Sequence, residues 1–294
     1  MVIDMRETTG ERIFSFVNTA LLTLIALITL YPFIYVISAS ISNPDLVITG
    51  KVFLLPKEIT FESYKNVLQT PTIWLSYFNT IFYTVAGTFA NMVFTILGAY
   101  ALSKKRLLGR KYFNLFVMLT MWFQPGIIPF YLNLVSLHLI DTRFAIVIAF
   151  AVNVFYFVLM RTFFENVPSS LEEAAMIDGA NDWWILINVY IPISMSAIAT
   201  IILFYAVGRW NGYFWAMIIF RSDAKVPLQV LLKKLVVDIT NSAGAEAGVD
   251  TSRSVVKETI VYATMVVSML PMMMIYPFIQ KYFVKGVMVG AIKG

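Results

Sequence analysis

The chain has 294 residues, 59% hydrophobic and only 13% charged, with a mean hydropathy of +0.77. A soluble domain carries roughly 25% charged and ~45–50% apolar residues, so this much apolar surface cannot be buried in one soluble core and the bilayer must serve as solvent for much of it. The net charge of +5 does not point to nucleic acid, because Lys and Arg sit between apolar stretches, and zero Cys with a single His138 excludes disulfides, thiolate chemistry and Cys- or His-cluster metal sites.

A transmembrane helix needs roughly 20 mostly apolar residues. The stretches that qualify are about 14–39, 76–102, 113–136, 144–164, 197–220 and 258–280. The expected fold is therefore all-α: an integral membrane domain of six transmembrane helices over 14–280, between a leader of residues 1–13 and a tail of residues 281–294. The leader MVIDMRETTGER contains acids, shows no small-residue cleavage site, and precedes an apolar run too long for a signal peptide. It reads as the start of an anchor.

Short loops set the orientation. Residues 103–111 hold Lys104, Lys105, Arg106, Arg110 and Lys111, which places them in the cytoplasm. The connection 138–142 has no Lys or Arg and is expected outside. Alternation puts both termini and the 165–196 segment in the cytoplasm of a multi-pass cell-membrane protein. The 221–257 segment then falls outside despite Arg221, Lys225, Lys233, Lys234, Arg253 and Lys257, because long loops translocate largely regardless of charge. The outer segment 42–74 carries turn signals and a short amphipathic stretch around Phe61 to Leu68. Residues 241–251 (NSAGAEAGVDT) read as a flexible outer loop.

The most informative stretch is NVPSSLEEAAMIDGANDWWILINVYIPIS, residues 166–194. Ser169 with Glu172, and Ser170 with Glu173, both fit a capping box, so a helix is expected to start near Ser170. Gly179 is its expected stop. Asn181 or Asp182 is expected to cap a second helix through Trp183 and Trp184, which Pro192 would end. Ala174 and Ala175 would let a partner backbone approach, while Glu172, Glu173 and Asp178 would offer carboxylates to a basic rim. Trp183 and Trp184 would anchor the element to its own membrane domain. An interfacial helix hairpin without a partner is the alternative.

Arg209 is the only Lys or Arg deep within a span. Such a charge usually faces a cavity or a partner. It sits beside Trp210 and Asn211, with Tyr213 following, a set that suits a sugar, and an Arg would add a site for a uronic carboxylate. The alternative is that Arg209 binds backbone carbonyls or a carboxylate of a neighbouring subunit. Asn79, Asn91, Asn114 and Gln124 are equally open to cargo or to helix joining. Pro125, Pro129 and Pro271 would kink their helices, and Met272 to Met274 read as packing.

Glu173-Ala174-Ala175, then Gly179, then Val189-Tyr190-Ile191-Pro192, resembles the EAA loop of permease subunits of binding-protein-dependent ABC importers. The fuller string resembles their carbohydrate-uptake branch, with Ser196 where the family places a second proline. Leu30-Tyr31-Pro32 with Ser38, Ser40 and Ser42, the segment Phe53 to Tyr64, Gly126 to Pro129, Leu137 to Thr142, and Trp210-Asn211 are similar to other parts of the family. The tail from Phe283 to Gly294, with Lys285, Gly290, Lys293 and Gly294, resembles the C-terminus of maltose-type permeases, in the group serving oligosaccharide, polysaccharide or uronate uptake.

The resemblance implies the type I ABC importer fold. It implies ATPase coupling through Glu172, Glu173, Ala174, Ala175, Asp178, Gly179 and Pro192, a substrate path near Arg209, Trp210, Asn211 and Tyr213, and a tail that contacts the ATPases. The implied partners are a second permease subunit of different sequence, two ATPase subunits, an extracellular sugar-binding protein or lipoprotein, and an oligosaccharide cargo. No cofactor belongs to this chain; ATP and Mg would sit on the ATPase subunits, since no phosphate-binding loop G-x-x-x-x-G-K-[ST] occurs here. The competing reading is a secondary transporter or channel acting without an ATPase, which would want intramembrane carboxylates for ion coupling.

Overall fold

The structure, a computed structural model, describes residues 8–244, 259–275 and 277, and every regular element among them is helical. In chain order these are α1 (Thr9–Ser40), α2 (Pro44–Ile48), α3 (Glu62–Gln69), α4 (Pro71–Ser103), α5 (Arg110–Trp122), α6 (Ile127–Ser136), α7 (Arg143–Ile148) and α8 (Val154–Glu165). There follow α9 (Ser169–Ile177), then α10 (Asp182–Ile185), which runs through a π turn (Leu186–Tyr190) into α11 (Ile191–Ile193). The remaining helices are α12 (Met195–Asn211), α13 (Phe214–Ile219), α14 (Leu228–Gly244) and α15 (Thr259–Ile275). The chain divides into two compact units, one of Met1–Pro71 with Lys234–Ser268 and one of Thr72–Lys233 with Met269–Gly294.

In the first unit, Thr8 and Glu11 form a reciprocal capping box that starts α1. Only Ser38, Ala39 and Ser40 of this helix are buried. An apolar helix with all its backbone bonds internal needs no protein partner in lipid. Beyond it the serines tie down the returning chain. Ser38 Oγ donates to the Leu54 carbonyl at 2.7 Å, Ser42 Oγ accepts from the Lys57 N–H at 3.0 Å, and the Ser40 and Tyr64 hydroxyls lie 2.9 Å apart. Ala39, Val47 and Val52 form a small core beneath Tyr35 and Tyr262, whose rings meet edge to face at 5.8 Å. The expected amphipathic stretch is α3.

Within the described residues each of the six expected apolar stretches is mainly helical, but not all are continuous. Among the described residues two helices, α1 and α4, are long and apolar enough to cross a membrane singly, and up to four spans result if each bent pair counts as one. The third stretch breaks around Pro125, where α5 and α6 meet at 116°. The fourth breaks between α7 and α8, because the Asn153 side chain accepts from the Tyr156 N–H at 3.2 Å and starts a new helix instead of continuing the old one. The fifth breaks at Gly212 and Tyr213, between α12 and α13. Of the sixth, α15 is the described part. In the second unit one core gathers Met160, Phe164, Ile185, Leu186 and Ile201 from α8, the 182–190 stretch and α12, and another gathers Tyr83, Leu134, Ala145, Ile219 and Val226.

Candidate functional site

The 169–193 segment is built by local rules, with long-range ties from residues 100 to 106. Neither capping box forms: Pro168 occupies the N-cap of α9 with no side-chain bond. Glu172 is drawn elsewhere. Its Oε2 lies 2.8 Å from Lys104 Nζ and accepts from the Tyr190 hydroxyl at 2.6 Å. The helix stops where expected. Gly179 has φ +82°, its N–H donates to the Met176 carbonyl at 3.0 Å, and the Ala180 N–H donates to the Ala175 carbonyl at 2.9 Å. This is a Schellman closure, which favours glycine at the left-handed position. Asn181 then caps α10, its Oδ1 accepting from the Trp184 N–H at 2.9 Å. Pro192 does not end the second helix. It lies near the start of α11, and the chain turns by 84° only at Ser194.

Residues from the basic loop after α4 hold this segment. The Lys104 ammonium sits 4.0 Å above the Tyr100 ring and 3.7 Å above the Tyr190 ring, and the Lys104 and Glu172 side chains are only 9% and 15% exposed. Arg106 pairs with Asp182 and reaches to 3.9 Å from Glu172 Oε1, while the Tyr100 hydroxyl donates to the Asp182 carbonyl at 3.1 Å. Burial lowers the pKa of Lys104, more than its pairing with Glu172 raises it. On Glu172 burial pushes the other way, but the adjoining Lys104 ammonium and the hydrogen bond from Tyr190 prevail and hold the carboxyl below its ordinary range.

The outward face differs from the expected one. Glu173, Ala174, Asp178 and Gly179 are exposed, whereas Glu172 faces inward and Ala175 is buried. Trp183 and Trp184 do not anchor the element, being 62% and 50% exposed; Ile185 and Leu186, at 0% and 3%, do.

Arg209 lies on α12 and closes the break between α7 and α8. Its Nε donates to Asn91 Oδ1 at 2.9 Å, Nη1 donates to the Ile146 carbonyl, and Nη2 donates to the carbonyls of Val147 and Phe150 at 3.1 and 2.9 Å. The Ile146 and Val147 carbonyls belong to the last turn of α7 and the Phe150 carbonyl to the turn beyond it, where helical donors run out. Asn91 Nδ2 donates to the carbonyls of Phe150 and Ala151 at 2.7 and 2.8 Å. The Tyr205 hydroxyl accepts from the Asn153 N–H at 3.1 Å and lies 2.8 Å from the Thr95 hydroxyl. Three polar side chains on two helices, Asn91 on α4 and Tyr205 and Arg209 on α12, thus satisfy an unwound stretch whose backbone could not face lipid bare.

Beside this knot lies a cavity of about 530 Å³ whose wall includes Asn91, Asn153, Arg209, Asn211 and Tyr213. Trp210 is not in that wall; it is buried, with its ring edge-on to Tyr77 at 5.9 Å. At the other end of α13, Asp141 adopts φ +56° and its Oδ1 accepts from the N–H groups of Arg221 and Ser222 at 3.2 Å, while Oδ2 lies 2.9 Å from Lys225 Nζ. Lys225, one of the basic residues that weighed against an outer 221–257 segment, is therefore paired.

Among the described residues no group of three or more His, Cys, Asp or Glu could hold a metal. The tail residues Lys285, Gly290, Lys293 and Gly294 lie outside the described residues. Sequence reading missed Lys104, Tyr100 and Tyr190 as parts of the site. The one local signal was spacing, since Tyr100 and Lys104 are four residues apart at the end of one helix.

The family model described as "Binding-protein-dependent transport system inner membrane component" matches residues 9–289. The chain is 39% identical over 284 residues, covering 97% of it and 99% of the relative, to the polygalacturonan/rhamnogalacturonan transport system permease YtcP of Bacillus subtilis. It is 27% identical over 281 residues, covering 93% and 94%, to the inner membrane ABC transporter permease YcjP of Escherichia coli. A chain in the crystal structure of a bacterial ABC transporter that imports the acidic polysaccharide alginate superposes with a TM-score of 0.87 at 47% identity, covering 95% of this chain and 99% of that one.

Proposed function

The chain belongs to the family of inner membrane components of binding-protein-dependent transport systems, and on that premise we propose that it is one of two permease subunits lining the path of an ATP-driven importer of acidic oligosaccharides. The other permease differs in sequence, two ATPase subunits carry ATP and Mg, and an outer sugar-binding protein or lipoprotein delivers the cargo. Both termini and the 169–193 segment face the cytoplasm. There the exposed Glu173, Ala174 and Asp178, presented by the Gly179 turn, meet an ATPase. The tail from Lys285 to Gly294 reaches the same subunits.

The observation that carries the acidic cargo is the state of Arg209. Its partners are an amide and three carbonyls, all neutral, and it forms no ion pair among the described residues, yet it lines the cavity beside Asn211 and Tyr213. A cation within a membrane costs roughly 2.5–3.5 kcal/mol on insertion scales. A cargo carboxylate in the cavity offsets that cost. The names of the relatives supporting this reading refer to polygalacturonan, rhamnogalacturonan and alginate.

The test compares uptake of acidic and neutral oligosaccharides of equal length by the reconstituted complex carrying wild type, Arg209→Lys or Arg209→Gln. The lysine variant keeps the charge without the fork of donors. Arg209→Gln should lose the preference for acidic cargo, and Arg209→Lys should keep it at a lower overall rate. Equal loss of both cargoes in Arg209→Gln would leave Arg209 as a buttress of the α7–α8 break alone.

A further inference from the structure

We infer that Lys104, Glu172 and Tyr190 form a latch that makes the 169–193 segment move as one body with α4, so that Lys104 is a positioning residue for coupling ATP hydrolysis to transport. The inference rests on the proposed docking of an ATPase to that segment.

Three observations support it. First, the segment contains one articulation and ends at another. Gly179 is a left-handed turn between α9 and α10, and the chain bends by 84° at Ser194. Without further ties, a push on the exposed face would flex these points and be lost.

Second, the tie that prevents this joins both halves of the segment to one residue. Glu172 belongs to α9 and Tyr190 to the stretch after α10, and Lys104 touches both, by an ion pair at 2.8 Å and a ring contact at 3.7 Å. The Tyr190 hydroxyl closes the triangle by donating to Glu172 at 2.6 Å. Tyr100, the second ring under the ammonium, belongs to α4 itself. The ion pair is 9% and 15% exposed. A pair so screened from water is not weakened as surface pairs are, and a compact ammonium between two ring faces has little room to shift.

Third, α4 leads somewhere. It is a single helix of 33 residues, and Asn91 lies on it thirteen positions before Lys104, about 20 Å away along the axis at ~1.5 Å per residue. Asn91 holds both the unwound carbonyls of Phe150 and Ala151 and the guanidinium of Arg209. One rigid helix therefore connects the latch to the wall of the cavity. The exposed pair Arg106–Asp182 lies at the edge of the same contact; it is screened by solvent and carries less.

The test uses the complete complex, with partner permease and ATPases, in proteoliposomes with loaded binding protein, and reads sugar taken up per ATP hydrolysed. Lys104→Met removes the ammonium at similar length. Tyr190→Phe removes only the hydroxyl and keeps both ring faces. With hydrogen bonds to charged groups at stake, uptake per ATP should fall about tenfold in Lys104→Met and a few-fold in Tyr190→Phe, while the hydrolysis rate per assembled complex changes less than about twofold. A merely structural role would lower the amount of assembled complex and leave that ratio unchanged. If Lys104→Met does not assemble, Tyr190→Phe decides. A wild-type ratio in the assembled variants would overturn the latch. Failure of wild type to bring down an ATPase would instead overturn the docking on which it rests.

Discussion

A β-carbon at Gly87 would lie 2.8 Å from Arg209 Nε and 3.0 Å from its Cζ, so the guanidinium occupies the space that the missing side chain leaves on α4. The head group is fixed by four acceptors and cannot simply swing away. Gly87→Ala gains ~0.8–1.0 kcal/mol of helix propensity but disturbs hydrogen bonds to a charged group worth ~1.5–3 kcal/mol each. The expected outcome is a lower thermal midpoint in detergent, a net loss of about 1–3 kcal/mol. Gly208→Ala is the control, because nothing lies within 4 Å of a β-carbon there; its midpoint should stay level or rise.

Gly179 presents the opposite case. A β-carbon there meets nothing within 4 Å, so only the backbone conformation at φ +82° resists substitution. Gly179→Val should cost roughly 1–2 kcal/mol at the turn, and Gly179→Asn less, since Asn tolerates the left-handed region. Uptake by the valine variant should fall while ATP hydrolysis and membrane insertion persist. Full transport by Gly179→Val would count against this turn as part of the docking element.

The third prediction concerns acid. Burial alone would raise the pKa of Glu172, yet its bonds to Lys104 and Tyr190 hold the carboxyl below the ordinary range. A carboxylate whose pKa is lower in the folded than in the unfolded chain adds stability above the unfolded value, near 4.3, and loses it as pH falls through the folded value. The midpoint difference between wild type and Glu172→Gln should therefore be constant from neutrality to about pH 5 and shrink below that. A difference that grows toward acid would mean the carboxyl is not held down. The measurement is thermal unfolding of the detergent-solubilised protein across the pH series.

What the sequence discloses about this site follows from the range of each interaction. The Gly179 stop and the Asn181 cap were legible because both are closed by neighbours within five residues. Glu172 was misread as a cap because its actual partner, Lys104, lies 68 positions upstream, and no local pattern competes with a capping-box spacing. The outward tryptophans were misread for a related reason: residue type says that Trp is large and apolar, but helix rotation decides which residues turn inward, and Ile185 and Leu186 took that place. Arg209 was found because a charge in an apolar stretch stands out by itself, whereas three of its four acceptors are main-chain carbonyls of another segment, and any residue type supplies those. The six apolar stretches were visible for the same compositional reason; the break at 149–153 was not, because Asn153 acts there as a helix start within a run that reads as apolar throughout.

The closure of that break also sets an order on biosynthesis. The carbonyls of Ile146, Val147 and Phe150 wait for a donor that follows them by 63, 62 and 59 residues. At about 5–20 residues per second of synthesis, Arg209 leaves the ribosome some 3–12 seconds after them. During that interval α7 and α8 have only Asn91, already made, to occupy the unwound stretch. The pair therefore cannot settle into lipid as a finished unit. Until α12 arrives, these carbonyls need water or another donor in place of the guanidinium. A nascent chain truncated before residue 209 should exchange with solvent at residues 146 to 150 more readily than the completed chain, in which Arg209 occupies those carbonyls.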